Sequence, residues 1–406
     1  MSEPIRLVYL HQHFKSRQEA GGTRSFEFAR RLAASGEFDV HLVAADTVGT
    51  RSREERMDGF TVHWVHEPYS NRMSFARRIR AFVGFAGKAG RRARALRPDL
   101  VFATSTPLTI ILPAVRAARR GVPIVFEVRD LWPEMPIAVG ALRGRLAIRL
   151  ARRLERFAYR RSARIVALSP GIRDGIVATG VPAERVSVIP NAADLDLFST
   201  APGAARAWRD AHPGLGERPI VLYCGTLGLV NDVGYLVEIA AESRAIAPEI
   251  AFVVIGDGAE RDLVRDRATA LGVLGDQVTL LPPVPKEEVP LAFAAATVTT
   301  SLFAPIPEME ANSANKFFDG LASGTPVAID YGGWQQELLE AHDAGVRLPA
   351  GDAAAAARML AGLIADPERL DRLGRNARAL AEREFDRDEL AARLAAVLRG
   401  ALPGGA

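Results

Sequence analysis

Short apolar runs of strand length alternate with helix-patterned segments along the whole chain, and this alternation constrains the fold more than any other feature. In the first half the runs are 5–10, 40–44, 100–103, 124–128 and 164–168. Between the first two, residues 23–35 carry helical periodicity at Phe26, Ala29 and Leu32. In the second half the runs are 220–224, 251–255, 278–281, 296–300 and 327–329, with helical segments between them at 234–247 and 258–271. Short buried strands separated by helices imply parallel βαβ units. The turn-rich segment 190–217 is the natural boundary, and 367–398 reads as two Ala/Arg/Leu-rich helices. The expectation is an α/β protein of two doubly wound, Rossmann-like domains facing a cleft. Residues 1–195 form the first, 196–385 the second, and 386–406 a C-terminal helix that crosses back to the first. Ligands of such sheets bind at the carboxyl ends of the strands.

A length of 406 residues suits about two domains. Charge divides with them: residues 1–200 hold 33 basic and 19 acidic side chains, residues 201–406 hold 19 and 29. Halves so different suggest different partners. Cys224 is the only cysteine, so neither an intrachain disulfide nor a cysteine-based zinc site is available. The seven histidines show no metal spacing, and no metal or other cofactor is expected. The N-terminus lacks the apolar core of a signal peptide, and 101–115 is too short and polar for a membrane span. A cytoplasmic location follows as an expectation.

Two basic stretches qualify it. Nine basic residues and no acid lie in 72–97, beginning at Arg72, with Phe75, Ile79, Phe82 and Val83 on one helical face. Nine arginines lie in 143–164, opposed only by Glu155. Either stretch reads as a solvated helix face or as a peripheral contact with the inner face of the cytoplasmic membrane. No nucleic-acid-binding motif accompanies the charge.

Candidate site residues cluster at predicted strand ends. Gly21 and Gly22, after the first strand, allow close backbone approach to an anion, or simply supply a turn. Glu127-Val128-Arg129-Asp130, followed by Glu134, puts charge at the end of a buried strand. It reads as a polar clamp or as an internal salt-bridge cluster. His13 and Asn191 follow strand-like runs, and Gly225-Thr226 opens a glycine-containing loop. The richest segment is 312–330: a polar loop (Asn312, Ser313, Asn315), an amphipathic helix carrying Lys316 and Asp319, a Gly-Thr-Pro stop and a buried strand. A helix start with a lysine suits phosphate, and an acid one turn later can grip sugar hydroxyls.

These residues, with Leu168-Ser169-Pro170-Gly171, Ile189-Pro190-Asn191 and Asp194, and Ile255-Gly256-Asp257-Gly258, occur in an order that resembles the family 4 retaining glycosyltransferases of GT-B fold, over nearly the whole chain. Arg129-Asp130-Leu131-Trp132-Pro133 and Asn315-Lys316 are similar to the bacterial O-antigen and capsule subgroup that includes N-acetyl-fucosaminyl transferases. The resemblance implies metal-independent transfer of a sugar, from a UDP-sugar, to a lipid-diphosphate-linked or other saccharide acceptor. It assigns the acceptor to the first domain and the nucleotide to the second. Asp319 falls on the family's second acid, for the ribose. The first acid's position holds Ala311, with Glu310 one residue away. The family's Arg and Lys pair after Gly225 is missing, and Lys316 is expected to supply the diphosphate's charge. Arg129 and Asp130 are expected to orient the reacting groups, with His13, Glu127, Asn191 and Glu310 on the acceptor or donor-sugar side. The rival readings are a nucleotide-sugar epimerase of the same fold and a non-catalytic nucleotide-sugar-binding scaffold.

Overall fold

The computed structural model describes residues 3–404 except 20, 69–72, 74, 120, 193 and 194, with backbone alone at 75, 76, 78 and 79. Arg72 and Asp194, both singled out by the sequence, lie outside the described residues. The chain divides into two compact units: Met1–Ser16, Thr23–Pro190 and Asp388–Ala406 form one, Arg17–Gly22 and Asn191–Arg387 the other.

The first unit is built on an eight-stranded sheet. Its strands are β1 (Ile5–Leu10), β2 (Phe38–Asp46), β3 (Arg53–Met57), β4 (Phe60–His66), β5 (Leu100–Thr104), β6 (Ile124–Val128), β7 (Arg164–Ala167) and β8 (Val186–Val188). Their order is β3-β4-β2-β1-β5-β6-β7-β8, parallel except for the β3–β4 hairpin. The second unit holds β9 (Ile220–Cys224), β10 (Ala251–Ile255), β11 (Val278–Leu281), β12 (Val298–Ser301), β13 (Val327–Ile329) and β14 (Gly345–Arg347). Their order is β11-β10-β9-β12-β13-β14, all parallel. Both units are therefore Rossmann-like α/β domains. Every residue of β5, β6 and β10 is buried, as expected where helices cover both faces.

Sequence order reverses between β1 and β5 in one sheet and between β9 and β12 in the other. Such reversals open a crevice at the strands' carboxyl ends. Local chemistry fixes the flanking helices. Ser169 caps Pro170–Ala178 by accepting from the Ile172 N–H at 3.1 Å. Gly324 ends Asn315–Ser323 in the left-handed conformation, φ 70°. That second helix is buried on every side from Lys316 to Ala322, where the sequence suggested one apolar face. At Gly320 it lies so near the sheet that a Cβ would come 2.6 Å from Thr299 Oγ1 and 2.8 Å from Val327 Cγ2. The buried helix brings its two charged groups into the interior with it. No helix among the described residues is long and apolar enough to cross a membrane.

Candidate functional site

In the second unit, charge gathers at the carboxyl ends of β9 and β12. Lys316 is 9% exposed, and its Nζ lies 5.1 Å from the Tyr223 ring centroid and 4.5 Å from that of Phe303. One aromatic belongs to β9 and the other follows β12, so the ammonium occupies the reversal point itself. With its amide nitrogen on the Thr226 carbonyl (3.0 Å), Asn231 accepts from Lys316 Nζ at 3.0 Å. No salt bridge reaches this ammonium among the described residues; the acid one turn along, Asp319, is turned to Lys286 instead. Burial brings the Lys316 pKa down to about 8, against the pull of Asp330. Asp330, at the end of β13, accepts from the Phe303 N–H at 2.9 Å. Burial holds its pKa up at about 7 against that bond, and Asp232 adds to the rise.

Asp319 Oδ2 accepts from Lys286 Nζ at 2.6 Å, with both side chains about one-tenth exposed. The Lys286 ammonium also lies 5.2 Å from the Phe198 ring centroid. Cys224, the last residue of β9, lies near both lysines. Burial pushes its thiol up to about 12, and it feels Lys286, Asp319 and Lys316 together. Sequence reasoning missed Lys286 altogether; its approach from the proline-rich loop after β11, 33 residues from Asp319, leaves no local pattern.

The polar loop before the helix is a braced platform. Asn312 Oδ1 accepts from the Ala314 N–H at 3.0 Å, and the Asn312 carbonyl accepts from Trp334 Nε1 at 2.7 Å. Asn191 donates its N–H to Ser313 Oγ at 3.0 Å and its side-chain amide to the Ser313 carbonyl at 2.5 Å. Ala314 supplies no side-chain cap, so the first-turn N–H groups of Asn315 and Lys316 are left for an external acceptor. Gly22 groups with this unit, and a Cβ there would come 2.7 Å from Asn315 Nδ2. Gly225 lies beside the Lys316 stem, and the Thr226 carbonyl accepts from Tyr223 OH at 2.7 Å. Glu310 sits apart, against Gly332 and Gly333, beside Ala311 on a short 3-10 turn. The structure thus brings Gly22, Asn191, Asn312, Ser313, Asn315, Lys316, Asp319, Gly225 and Thr226 onto one face of the second unit's sheet ends.

In the first unit, Glu127 is fully buried and engaged on both oxygens. Arg24 donates to Oε1 through Nε (3.0 Å) and Nη2 (2.9 Å), and Thr104 Oγ1 donates to Oε2 at 2.5 Å. Arg24 further binds the carbonyls of Pro190 (2.5 Å) and Ile189 (2.8 Å). This network ties β5, β6 and the end of the unit together, which is the internal-cluster alternative for Glu127. Arg129 and Asp130 lie beyond the strand end, half-buried, with the Arg129 N–H on Ser105 Oγ at 3.0 Å. Burial raises the Asp130 pKa, with Arg129 opposing. His11 is buried with no hydrogen-bond partner for Nδ1 among the described residues; burial, then Arg129 and His13, hold its pKa well below the usual value. His13, Arg129 and Asp130 therefore share one corner. Among the described residues no group of three or more His, Cys, Asp or Glu is placed to hold a metal ion.

Two parallel-sheet units with charge at a reversal point define a GT-B type of architecture, and solved structures of that kind superpose on the chain. The Anabaena Alr3699/HepE complex with UDP and glucose matches with a TM-score of 0.73 at 20% identity, covering 96% of this chain and 98% of that one. WaaG, a glycosyltransferase involved in lipopolysaccharide biosynthesis, gives 0.71 at 15% identity, covering 97% and 100%. The glycosyl transferase 4-like domain matches residues 20–192, and the glycosyl transferases group 1 domain matches 205–380. Residues 20–192 and 205–380 thus carry two glycosyltransferase domains, one in each half of the chain. Similar curated proteins include the alpha-D-kanosaminyltransferase of Streptomyces kanamyceticus, 27% identical over 62% of this chain and 64% of that protein. Another is the GDP-mannose-dependent alpha-(1-6)-phosphatidylinositol monomannoside mannosyltransferase of Mycolicibacterium smegmatis, 26% identical over 74% and 75%. A third, the D-inositol 3-phosphate glycosyltransferase of Thermobispora bispora, is 31% identical over 54% and 52%. The matched regions span less than two thirds of the first and third of these relatives.

Proposed function

We propose that the chain is a retaining glycosyltransferase that moves a sugar from a UDP-sugar to a lipid-linked or free saccharide acceptor in bacterial surface polysaccharide assembly. The observation that carries the nucleotide-sugar part is the Lys316 ammonium, buried at the β9/β12 reversal beside an uncapped helix start and without a carboxylate partner among the described residues. Such a group is ready for an anion that arrives with the substrate. It would stabilise charge developing on the departing diphosphate, without a metal ion. Asp319 holds the ribose, and Asn312–Asn315 face the donor sugar. Arg129, Asp130 and His13 act on the acceptor. Retention follows from attack by the acceptor hydroxyl on the leaving-group face. UDP is favoured as the donor nucleotide by the likeness to a UDP complex, and the GDP-mannose-dependent relative makes GDP the comparison.

A lipid-linked acceptor calls for a membrane-facing surface. In the helix Arg145–Arg161, Leu146 (72%) and Leu150 (57%) stand exposed among Arg145, Arg149, Arg153 and Arg156. The helix Phe75–Ala95 is less available. Its Phe85 is buried, Lys88 bonds Glu67 at 3.0 Å and Arg92 pairs with Glu54. The first of these helices is the anionic-bilayer contact in this reading.

Incubation with UDP- and GDP-sugars, with and without polyprenyl-diphosphate saccharides, tests the proposal. Acceptor-dependent product with the donor's anomeric configuration is expected. Epimerised nucleotide-sugar without acceptor, or binding without turnover, would replace it with one of the rival readings.

A further inference from the structure

Resting on the nucleotide-sugar reading, we infer that Lys286 is a specificity-determining residue that reads the ribose diol jointly with Asp319. A lone carboxylate could accept from both hydroxyls of a ribose through its two oxygens. Here one oxygen is already committed, because Oδ2 accepts from Lys286 Nζ at 2.6 Å. Among the described residues no hydrogen bond reaches Oδ1, and that oxygen is not sealed from solvent. An ammonium carries three N–H donors. One is spent on Asp319, and the Phe198 ring at 5.2 Å covers part of the rest without accepting a full hydrogen bond. The pair therefore presents one open acceptor and at least one open donor, side by side.

That pattern is complementary to vicinal hydroxyls. The 3′-hydroxyl donates to Asp319 Oδ1, and the 2′-hydroxyl accepts from Lys286 Nζ. The placement suits a ligand whose phosphates reach Lys316, since Lys316 and Asp319 stand three residues apart on one helix and Lys286 is bonded to Asp319. Lys286 is held there by its own loop: Pro282, Pro283 and Pro285 precede it, and the Glu288 N–H closes the turn on the Pro285 carbonyl at 3.0 Å. A 2′-deoxyribose would leave one N–H of the nearly buried Lys286 ammonium without an acceptor, which is how hydrogen-bonding sites reject analogues missing a hydroxyl.

Calorimetric titration of UDP against 2′-deoxy-UDP, and of GDP against 2′-deoxy-GDP, tests this on the full chain. The wild type is expected to prefer the ribonucleotide by at least about tenfold, the worth of one charged hydrogen bond. Lys286→Met is expected to bring the preference below about threefold, and Lys286→Arg to retain most of it. A purely structural Lys286–Asp319 pair would weaken both members of each pair equally, so the ratio carries the test and circular dichroism confirms folding. An unchanged ratio in a folded Lys286→Met overturns the inference alone. If the wild type binds neither UDP nor GDP, the nucleotide-sugar reading falls and the inference falls with it.

Discussion

At the residue scale, the second unit buries two lysines, and their surroundings give them different work. Lys286 has a carboxylate; Lys316 has two aromatic faces and an amide. An ammonium in that position costs stability while the protein stands alone. Its pKa, lowered to about 8 from 10.5, means that the unfolded chain binds the proton more tightly. The cost is full below about pH 8 and is relieved as pH rises from 8 to 10.5. Lys316→Met is thus expected to keep or raise thermal stability while weakening UDP binding roughly ten- to hundredfold, for a charged hydrogen bond of about 1.5–3 kcal/mol. Wild-type affinity for UDP should also decline as pH rises above about 8, where the free protein loses that proton. The variant should show no such decline, and titrations at a series of pH values check both. Glu127 illustrates the opposite case. It is fully buried and bonded on both oxygens, so Glu127→Ala removes the carboxylate that the buried Arg24 guanidinium pairs with and is expected to cost about 3–5 kcal/mol, read by denaturant unfolding. The sequence made Lys316 and Asp319 visible because a helix start and a one-turn spacing are local signals. Lys286 was invisible because its meaning depends on a contact across 33 residues.

At the scale of elements, burial guided legibility for most strands, although β4, largely buried, went unread. The parallel strands β5, β6, β9 and β10, buried throughout but for Cys224 at the end of β9, read directly as apolar runs, with bounds right to within a residue. β3, Arg-Glu-Glu-Arg-Met, escaped because it is an exposed antiparallel edge with no apolar pattern to find. β8 and β14 escaped because they are only partly buried, whereas the equally short but fully buried β13 was read. The helix Asn315–Ser323 read as amphipathic, yet it is buried all round, since other elements cover its polar face as well. Its seating depends on Gly320. Gly320→Ala puts a methyl 2.6 Å from Thr299 Oγ1, and the helix must lift. A loss of about 1–3 kcal/mol is expected from such overpacking. Because Lys316 and Asp319 ride on the same helix, UDP affinity should fall along with the melting temperature. Full affinity in a destabilised variant would mean that the helix does not position the site.

For the whole molecule, the charge asymmetry and the two sheets divide the labour. The arginine-rich half carries the helix Arg145–Arg161 with Leu146 and Leu150 exposed. The acidic half buries a positive charge, Lys316, at the end of β9, the place proposed for the anion. The double variant Leu146→Ser/Leu150→Ser is expected to fold normally, bind UDP unchanged and lose most of its sedimentation with anionic vesicles; unchanged sedimentation would remove that helix from the membrane account. The central claim is that the β9/β12 reversal of the second unit holds the diphosphate of a nucleotide-sugar against Lys316. Its most direct test is a structure of the chain with UDP. The β-phosphate is expected within hydrogen-bond distance of Lys316 Nζ and the helix start at Asn315, and the ribose against Asp319. A nucleotide bound elsewhere, or with its phosphates turned away from Lys316, would contradict the account.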